Sequence, residues 1–213
     1  MLRIGLTGNI AVGKSCASAH FAEIGSAVID ADRVSRELME PGEPVYFQVV
    51  ETFGPEILRD DMTIDRRRLG NIVFAAEEKR RLLESIVHPA IRDAVSRKIV
   101  EKEKISNIVI VDAALMIETG AYREYDRLIV VACSPDAQLV RLMARDGLTE
   151  NEAKARIAAQ MPTDEKIRFA DYVIDTSGSL ESTLEQVNAI YKQLSMMTVS
   201  TRNLLTHQPV CEN

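Results

Sequence analysis

Residues 8–15 have the types and the spacing of a loop that holds phosphate groups. They read Gly-Asn-Ile-Ala-Val-Gly-Lys-Ser and match the pattern G-x-x-x-x-G-K-[ST] at every fixed position. Glycines permit backbone conformations that a Cβ would block, so that successive N–H groups can point at phosphate oxygens. The pattern predicts that Lys14 reaches the β- and γ-phosphates of a nucleoside triphosphate and that the hydroxyl of Ser15 ligates Mg²⁺.

Aspartates stand at the ends of two short apolar segments that follow this loop. Asp32 is expected to end the strand beside the loop, where a carboxylate can accept the proton of a hydroxyl group during phosphoryl transfer. The residue pattern alone leaves two roles open for Asp32, a general base or the N-cap of a helix that begins at Arg33. Asp30 is expected to have a supporting role. Asp112 ends a buried strand and either contacts a ligand or caps the next turn.

Two arginines late in the chain could stabilise the charge on a phosphoryl group in transfer. Arg141 and Arg145 are four residues apart and therefore fall on one face of a predicted helix. They could belong to a lid that closes over ATP. The same face could instead be an ordinary solvated one, because Asp136 and Asp146 lie nearby in sequence. The further lid candidates are Arg156 and Lys166.

The elements around these residues alternate between short strands and helices. Strands are predicted at residues 2–7, 27–29, 108–111, 127–132 and 172–174. This alternation predicts βαβ units and a five-stranded, mainly parallel sheet with helices on both faces. Ligands of such sheets bind at the carboxyl ends of the strands, where the loop and the aspartates stand.

Helical periodicity dominates residues 44–104, which predicts a helical insertion at the edge of this core. Within it, helices are predicted at residues 77–86 and 90–104, on either side of a proline. A capping box at Thr149 and Glu152 predicts a helix that runs to about Met161. The last helix is predicted at residues 180–194, followed by a loose tail from about residue 195.

The composition excludes several classes of protein. The chain has 213 residues and a net charge of −6, whereas a duplex-binding protein usually presents a basic face, so nucleic acid is not an expected partner. The longest apolar stretch is too short to span a bilayer, so no membrane association is expected. Cys16, Cys133 and Cys211 are scattered and odd in number, which predicts free thiols and a cytoplasmic protein.

The class of phosphate-binding protein can be narrowed from the rest of the sequence. The chain lacks the N-K-x-D motif that GTPases use for base recognition, and transport or motor ATPases are usually larger. A small chain with a helical insertion and arginine-bearing helices late in the sequence is typical of a kinase that acts on a metabolite.

An ordered set of motifs makes this interpretation more specific, because the chain resembles the dephospho-CoA kinases from about residue 4 to residue 194. The matching residues are Gly5 to Gly8 with the loop, Val28 to Asp32, Ile64-Asp65-Arg66, Leu69, Val73-Phe74, His88-Pro89, Asp112 to Glu118, Gln138, Arg141, Arg145-Asp146-Gly147, Arg156, Gln160, Lys166 and Ala170 to Asp175. The resemblance implies transfer of the γ-phosphate of ATP to the ribose 3′-hydroxyl of dephospho-CoA, the last step of CoA synthesis, with Mg²⁺ as the metal.

The resemblance also implies a fold and a set of site residues. The fold is a P-loop kinase-like α/β/α arrangement in one unit, with a core (about 1–40, 105–135 and 170–194), an acceptor-binding helical insertion (about 41–104), a helical lid (about 136–168) and a C-terminal tail (195–213). The catalytic residues implied are Asp32, Lys14 and Arg141. The ATP-binding residues implied are Gly8, Ala11, Val12, Gly13, Lys14, Ser15, Cys16, Arg141 and Arg145. The substrate-binding residues implied are Asp32, Arg66, His88, Asp112, Leu115 and Glu118, although a histidine before a proline could equally be structural.

The chain departs from the family pattern at five positions. Asn9, Ala11 and Val12 replace two glycines and a serine of the loop. Asn9 is expected to tolerate a positive φ, whereas Ala11 is expected to have a φ in the ordinary range. Ala114 stands where a proline is usual, which predicts a less rigid acceptor segment, and Thr176 stands where an asparagine near the adenine is common.

Two other functions remain open at this stage. The first is another small-molecule P-loop kinase, such as a nucleoside or nucleotide kinase. The second is a non-catalytic protein that binds ATP to control a partner, although the presence of Asp32, Lys14 and the lid arginines speaks against it.

Overall fold

Short apolar segments of the chain form one five-stranded parallel sheet in the computed structural model. The order of the strands across the sheet is β2-β3-β1-β4-β5. The strands are β1 (Leu2–Gly8), β2 (Ala27–Asp30), β3 (Ile108–Asp112), β4 (Arg127–Ala132) and β5 (Tyr172–Asp175). The structure describes the backbone of residues 1–206 and the side chains of residues 1–198 other than Phe74. The predicted α/β fold with five strands is confirmed.

Helices connect the strands. They are α1 (Lys14–Glu23), α2 (Ala31–Glu37), α3 (Pro44–Phe53), α4 (Arg66–Ala75), α5 (Glu77–Lys102), α6 (Pro135–Asp146), α7 (Glu150–Ala158), α8 (Thr163–Ile167) and α9 (Leu180–Thr206). Short 3₁₀ turns lie at Pro55–Ile57 and Ala121–Glu124.

The centre of the sheet is apolar on both faces. β1 pairs in parallel with β3 and with β4, and every residue of β3 is buried. Continuous apolar runs are the expected pattern for a parallel sheet that is covered on both sides. Phe21 of α1 and Leu194 of α9 are fully buried and pack in the same cluster as the strand residues. Each such side chain stabilises the fold by about 1.5–3 kcal/mol.

The chain divides into two compact units. The first contains residues Met1–Ile29 and the chain from Glu101 onward, and it includes the apolar centre of the sheet. The second is Asp30–Val100, with its own core of helical side chains. That second core includes Val45, Tyr46, Val49, Phe53, Ile57 and Val87. The boundaries predicted from sequence for the insertion and the lid stay predictions.

The helices differ from the prediction in three places. α5 is one continuous helix with Pro89 inside it, so the predicted break at residues 87–89 is wrong. Proline cannot donate a backbone hydrogen bond to the preceding turn, but α5 buries Val87 before Pro89 and Ile99 after it, and that burial outweighs the lost bond. α7 ends at Ala158 and a separate α8 follows it. α9 continues to Thr206, and Cys211 lies outside the described residues.

The starts of α6 and α7, which were predicted from their capping residues, are confirmed. The side chain of Ser134 accepts a hydrogen bond from the N–H of Ala137, and Pro135 is the first residue of α6. Thr149 and Glu152 form a reciprocal capping box at the start of α7. Local sequence therefore determines where the two helices of the predicted lid begin.

The capping box provides a test of this local control. Thr149→Ala removes the hydroxyl that accepts from the N–H of Glu152, so we expect the free energy of unfolding to fall by about 1 kcal/mol in urea denaturation. Thr52→Ala is the matched control, because its hydroxyl bonds to Gln48 O within α3 and caps no helix. Equal losses in the two variants would contradict a capping role for Thr149.

Candidate functional site

The phosphate loop joins the end of β1 to the start of α1. Gly8 is the last residue of β1, and a Cβ there would lie 2.6 Å from the backbone oxygen of Val131. Gly13 has φ 85° and stands as the N-cap of α1. Both fixed glycines of the motif are therefore required by the structure, one by close packing and one by its backbone conformation.

Ala11 is the strained residue of this loop. Its φ is 59°, and among the described non-glycine residues only Ala11 and Met62 have a positive φ. The expectation that Ala11 would have an ordinary φ is therefore wrong, and the left-handed position is residue 11 rather than Asn9. A Cβ in this region costs about 1–2 kcal/mol, which explains why a glycine is usual at this position.

A cavity of about 710 Å³ surrounds the loop. This volume is within the range of pockets that hold a nucleotide-sized ligand. Its lining consists of Gly8, Asn9, Ile10, Ala11, Val12, Gly13, Lys14, Ser15, Cys16, Ala114, Arg141, Arg145, Gln160, Thr176, Gly178, Leu180 and Thr183. The structure thus brings all nine predicted ATP-binding residues to one cavity.

Lys14 forms a salt bridge with Asp112. Asp112 is the last residue of β3, and its register partner in β1 is Leu6. The parallel pairing therefore brings the carboxylate to the same edge of the sheet as the loop, and Lys14 Nζ contacts Asp112 Oδ1 there. The side chain of Asp112 is only 9% exposed, so this pair is shielded from solvent. An aspartate at the end of the strand beside a phosphate loop is the position that P-loop NTPases use on the Mg²⁺ side.

Arg141 is connected to the loop through Thr176. Its two terminal nitrogens donate to Thr176 Oγ1 at 2.9 Å and to Thr176 O at 2.6 Å. The hydroxyl of Thr176 in turn donates to Val12 O at 2.6 Å. Arg141 lines the cavity and forms no salt bridge within the part of the chain that the structure describes, but a carboxylate is near it: hydrogen bonds from Ser177 lower the pKa of Asp175, and the charge of Arg141 lowers it further.

Arg145 has a different environment on the same helix. Its guanidinium bonds to Asp146 at 2.8 Å, and Arg156 bonds to the other oxygen of that carboxylate at 2.8 Å. The hydrogen bond from Arg145 lowers the pKa of Asp146, and the same bond raises the pKa of Arg145. Because Arg145 is in direct contact with a carboxylate whereas Arg141 is held by Thr176 beside the loop, Arg141 is the better placed of the two to act on a phosphate.

The segment after β3 contains Leu115 and Glu118, two of the residues predicted to bind the acceptor. Leu115 is 51% exposed, and Glu118 pairs with Lys166 at 2.8 Å. The carbonyl of Ala114 accepts from Thr7 Oγ1 at 3.1 Å and from Lys166 Nζ at 3.0 Å. The segment is therefore held by side chains, and the reduced rigidity expected from Ala114 is offset by these two bonds.

The remaining predicted residues belong to the unit Asp30–Val100. β2 ends at Asp30, whose carboxylate accepts from the N–H of Arg33 and caps α2. The alternative role of Asp32 as an N-cap is therefore wrong, and so is its placement at the strand end: Asp32 lies exposed in the first turn of α2. His88 is half-buried in α5, directly before Pro89.

Arg66 is the first residue of α4 and lines a small cavity of about 150 Å³. Desolvation lowers its pKa, and nearby Arg36 and Arg59 lower it further, whereas Glu40 opposes them. Arg36 and Arg59 each lie 3.8 Å from a carboxylate, Asp30 and Asp65 respectively, so their charges are partly compensated.

The cavity lining also contains eight residues outside the predicted ATP-binding set. They are Asn9, Ile10, Ala114, Gln160, Thr176, Gly178, Leu180 and Thr183. Thr176 directly follows β5, so the rule that ligands bind at the carboxyl ends of parallel strands could have found it. Gln160 makes its contact with Ile10 N across 150 residues of sequence, and no local signal predicts that contact.

The donors available for a divalent cation fit Mg²⁺. Ser15 offers a hydroxyl oxygen in the loop, and Asp112 offers a carboxylate at the same edge. Within the described residues there is no group of three or more His, Cys, Asp or Glu side chains that could cage a metal. Mg²⁺ needs no such cage, because it keeps several waters and takes one or two protein oxygens together with substrate phosphates.

A family model and the most similar relatives carry the same name. A family model described as dephospho-CoA kinase matches residues 2–182. A dephospho-CoA kinase of Carboxydothermus hydrogenoformans is 46% identical over 191 residues, which cover 89% of this chain and 93% of that protein. A solved structure from Thermus thermophilus has a TM-score of 0.81 and 32% identity, and the match covers 91% of this chain and 97% of that chain. Dephospho-CoA kinase from Campylobacter jejuni has a TM-score of 0.66 and 28% identity, with coverage of 91% and 97%.

The backbone of Ala11 can be tested by substitution. Ala11→Val places a β-branched side chain at φ 59°, so we expect the dissociation constant for ATP, measured by calorimetry, to rise about tenfold or more. Ala11→Gly is the matched control and should bind ATP within about threefold of the parent. Parental affinity in the valine variant would mean that the left-handed conformation is not needed for binding.

Proposed function

The chain belongs to the dephospho-CoA kinase family, and we propose that it transfers the γ-phosphate of ATP to the ribose 3′-hydroxyl of dephospho-CoA, forming CoA and ADP. The observation that carries the proposal is the match to the family over residues 2–182. That match extends far beyond the phosphate loop and includes the segments implied to bind the acceptor. The cavity of about 710 Å³ around the loop supplies a site for the phosphate donor.

The reaction makes one bond and breaks one. The oxygen of the 3′-hydroxyl bonds to the γ-phosphorus, and the bond from that phosphorus to the β,γ-bridging oxygen breaks, so that ADP leaves. The hydroxyl proton goes to a base. Such transfers gain most from the positioning of the reactants and from cations near the phosphoryl oxygens.

The loop residues bind and orient the donor in this proposal. Backbone N–H groups of residues 8–15 and the N-terminal end of α1 favour phosphate at the loop. Lys14 supplies a positive charge for the β- and γ-phosphates, with Asp112 fixing the position of its ammonium group. Arg141, which Thr176 holds beside the loop, stabilises the charge that spreads over the γ-phosphate.

Mg²⁺ is part of the proposal. Ser15 and Asp112 are the residues that would hold it, directly or through water, together with phosphate oxygens of ATP. When bound, the ion neutralises charge on the β- and γ-phosphates.

Asp32 is the residue that we propose as the base. It is an exposed carboxylate in the first turn of α2, and the side chain that caps this helix is that of Asp30. The acceptor-side residues proposed with it are Arg66, His88, Asp112, Leu115 and Glu118.

The location of the protein and its other partners stay predictions. Within residues 1–206, no helix has both the length and the apolar character that crossing a bilayer requires. Cytoplasmic location and the absence of nucleic-acid binding were predicted from cysteine pattern and charge, and they are proposed on that basis.

The function is tested by turnover of defined acceptors. With Mg·ATP, we expect the purified protein to convert dephospho-CoA to CoA, detected by mass spectrometry of the product together with coupled assay of ADP. Adenosine, AMP and other nucleosides or nucleoside monophosphates are the comparison acceptors, and we expect rates at least about 10²-fold lower with them. Faster turnover of a nucleotide would favour the alternative kinase, and ATP binding without any turnover would favour a regulatory protein.

The role of Asp32 is tested by Asp32→Asn, which keeps the shape of the side chain and removes its basicity. We expect kcat to fall about 10²-fold or more, with the dissociation constant for ATP nearly unchanged. Asp93→Asn on α5 is the matched control, since Asp93 is also exposed and in the same unit. An unchanged kcat in Asp32→Asn would remove Asp32 from the catalytic residues.

A further inference from the structure

Lys166 is a charged side chain that is completely buried. It lies in α8, and its exposure is 0%. Removing an ammonium group from water costs several kcal/mol unless hydrogen bonds and an opposite charge compensate for it. Its burial therefore requires fixed partners, and it excludes Lys166 from acting as an exposed cation of a mobile lid.

The partners of Lys166 both belong to the segment that follows β3, residues 113–118. Its ammonium donates to Ala114 O at 3.0 Å and pairs with Glu118 Oε1 at 2.8 Å. Ala114 lines the nucleotide cavity, and Glu118 is an acceptor-side residue of the proposed reaction. Lys166 thus holds the beginning and the end of this segment at once.

The same stretch of chain is attached to the phosphate loop a few residues earlier. Gln160 Oε1 accepts from Ile10 N at 2.8 Å. The side-chain nitrogen Nδ2 of Asn9 donates to Met161 O at 2.9 Å and to Thr163 Oγ1 at 3.1 Å. The side chain of Asn9 makes these bonds, so they depend on the residue type at this position of the loop.

We propose that residues 160–166 are a tie between the phosphate loop and the segment 113–118, and that Lys166 is its positioning residue for phosphoryl transfer. The tie holds the loop through Gln160 and Asn9, and it holds the acceptor-side segment through Lys166. Its effect is to fix the distance between the donor phosphates and the residues that follow β3. Because the reaction is controlled by positioning, a displacement of about 1 Å can lower the rate by as much as about 10²-fold.

The kinetic test uses Lys166→Met, which keeps a straight side chain of similar length and suits an apolar environment. We expect kcat with dephospho-CoA to fall about tenfold or more, expressed per ATP-binding site from calorimetric titration. The dissociation constant for ATP should stay within about threefold, because no loop residue changes. Lys154→Met is the matched control: its lysine on α7 pairs with Glu150 at the surface, and we expect parental kcat. A parental kcat per site in Lys166→Met would overturn the proposal, as would a loss confined to ATP affinity.

Hydrogen exchange tests the tie without the reaction. We expect the amides of residues 113–118 to exchange faster in Lys166→Met than in the parent, and at the parental rate in Lys154→Met. Unchanged exchange would overturn the proposal. The kinetic test rests on the proposed function, whereas the exchange test does not. If the unmodified protein forms no CoA, the proposed function is refuted, and hydrogen exchange alone then decides whether the tie exists.

A second variant keeps the proposal falsifiable if Lys166→Met does not fold. Asn9→Gly removes the bonds at the other end of the tie and introduces the residue that is usual in the family. We expect faster exchange in residues 160–166 and a fall in kcat of about threefold, with ATP still bound. Parental exchange and kcat in this variant would show that residues 160–166 do not position the loop.

Discussion

The structure depends on the position of β1 at the centre of a parallel sheet. β1 is hydrogen-bonded to β3 on one side and to β4 on the other, and its residues are buried from Ile4 to Gly8. Parallel pairing brings the carboxyl ends of these strands to one edge, so the loop after β1 meets Asp112 at the end of β3. The chain leaves the sheet at Gly8, where there is no space for a side chain because a Cβ would clash with the backbone of β4. The positions of the phosphate loop and of Asp112 therefore depend on the close packing of the buried strands.

Polar side chains at this edge stabilise the phosphate loop by donating hydrogen bonds to its backbone carbonyl groups. Gln138 donates to the carbonyl of Ile10 at 2.8 Å, and Thr176 donates to the carbonyl of Val12 at 2.6 Å. Carbonyl oxygens would repel phosphate oxygens. These two hydrogen bonds fix the carbonyl groups of Ile10 and Val12 on protein donors instead. Gln138 and Thr176 are both nearly fully buried, where hydrogen bonds are stronger than in water and an unpaired polar group is costly. The loop is therefore shaped largely by residues outside its own motif.

The sequence predicts those features that depend on local interactions. The sequence predicts the apolar strand segments, helix caps such as Ser134 and the spacing of the loop glycines, because neighbouring residues determine these features. The sequence did not predict that α5 continues through Pro89, because the burial of side chains on both sides of the proline outweighs the loss of a backbone hydrogen bond. Nor could the left-handed φ of Ala11 be read, since the loop imposes it. Contacts such as that of Gln160 with Ile10 join residues 150 positions apart, and only the folded chain brings them together.

Lys166 also has a consequence for the chemistry of this protein's amines. Acylating reagents need access to the nitrogen of a lysine side chain, and the side chain of Lys166 is 0% exposed and packed against Glu118. Lysines such as Lys154, which is mostly exposed, would be acylated directly in the folded state. Acylation of Lys166 would instead require α8 to separate from the segment after β3. The extent of labelling at this one lysine would therefore measure how often that part of the molecule opens.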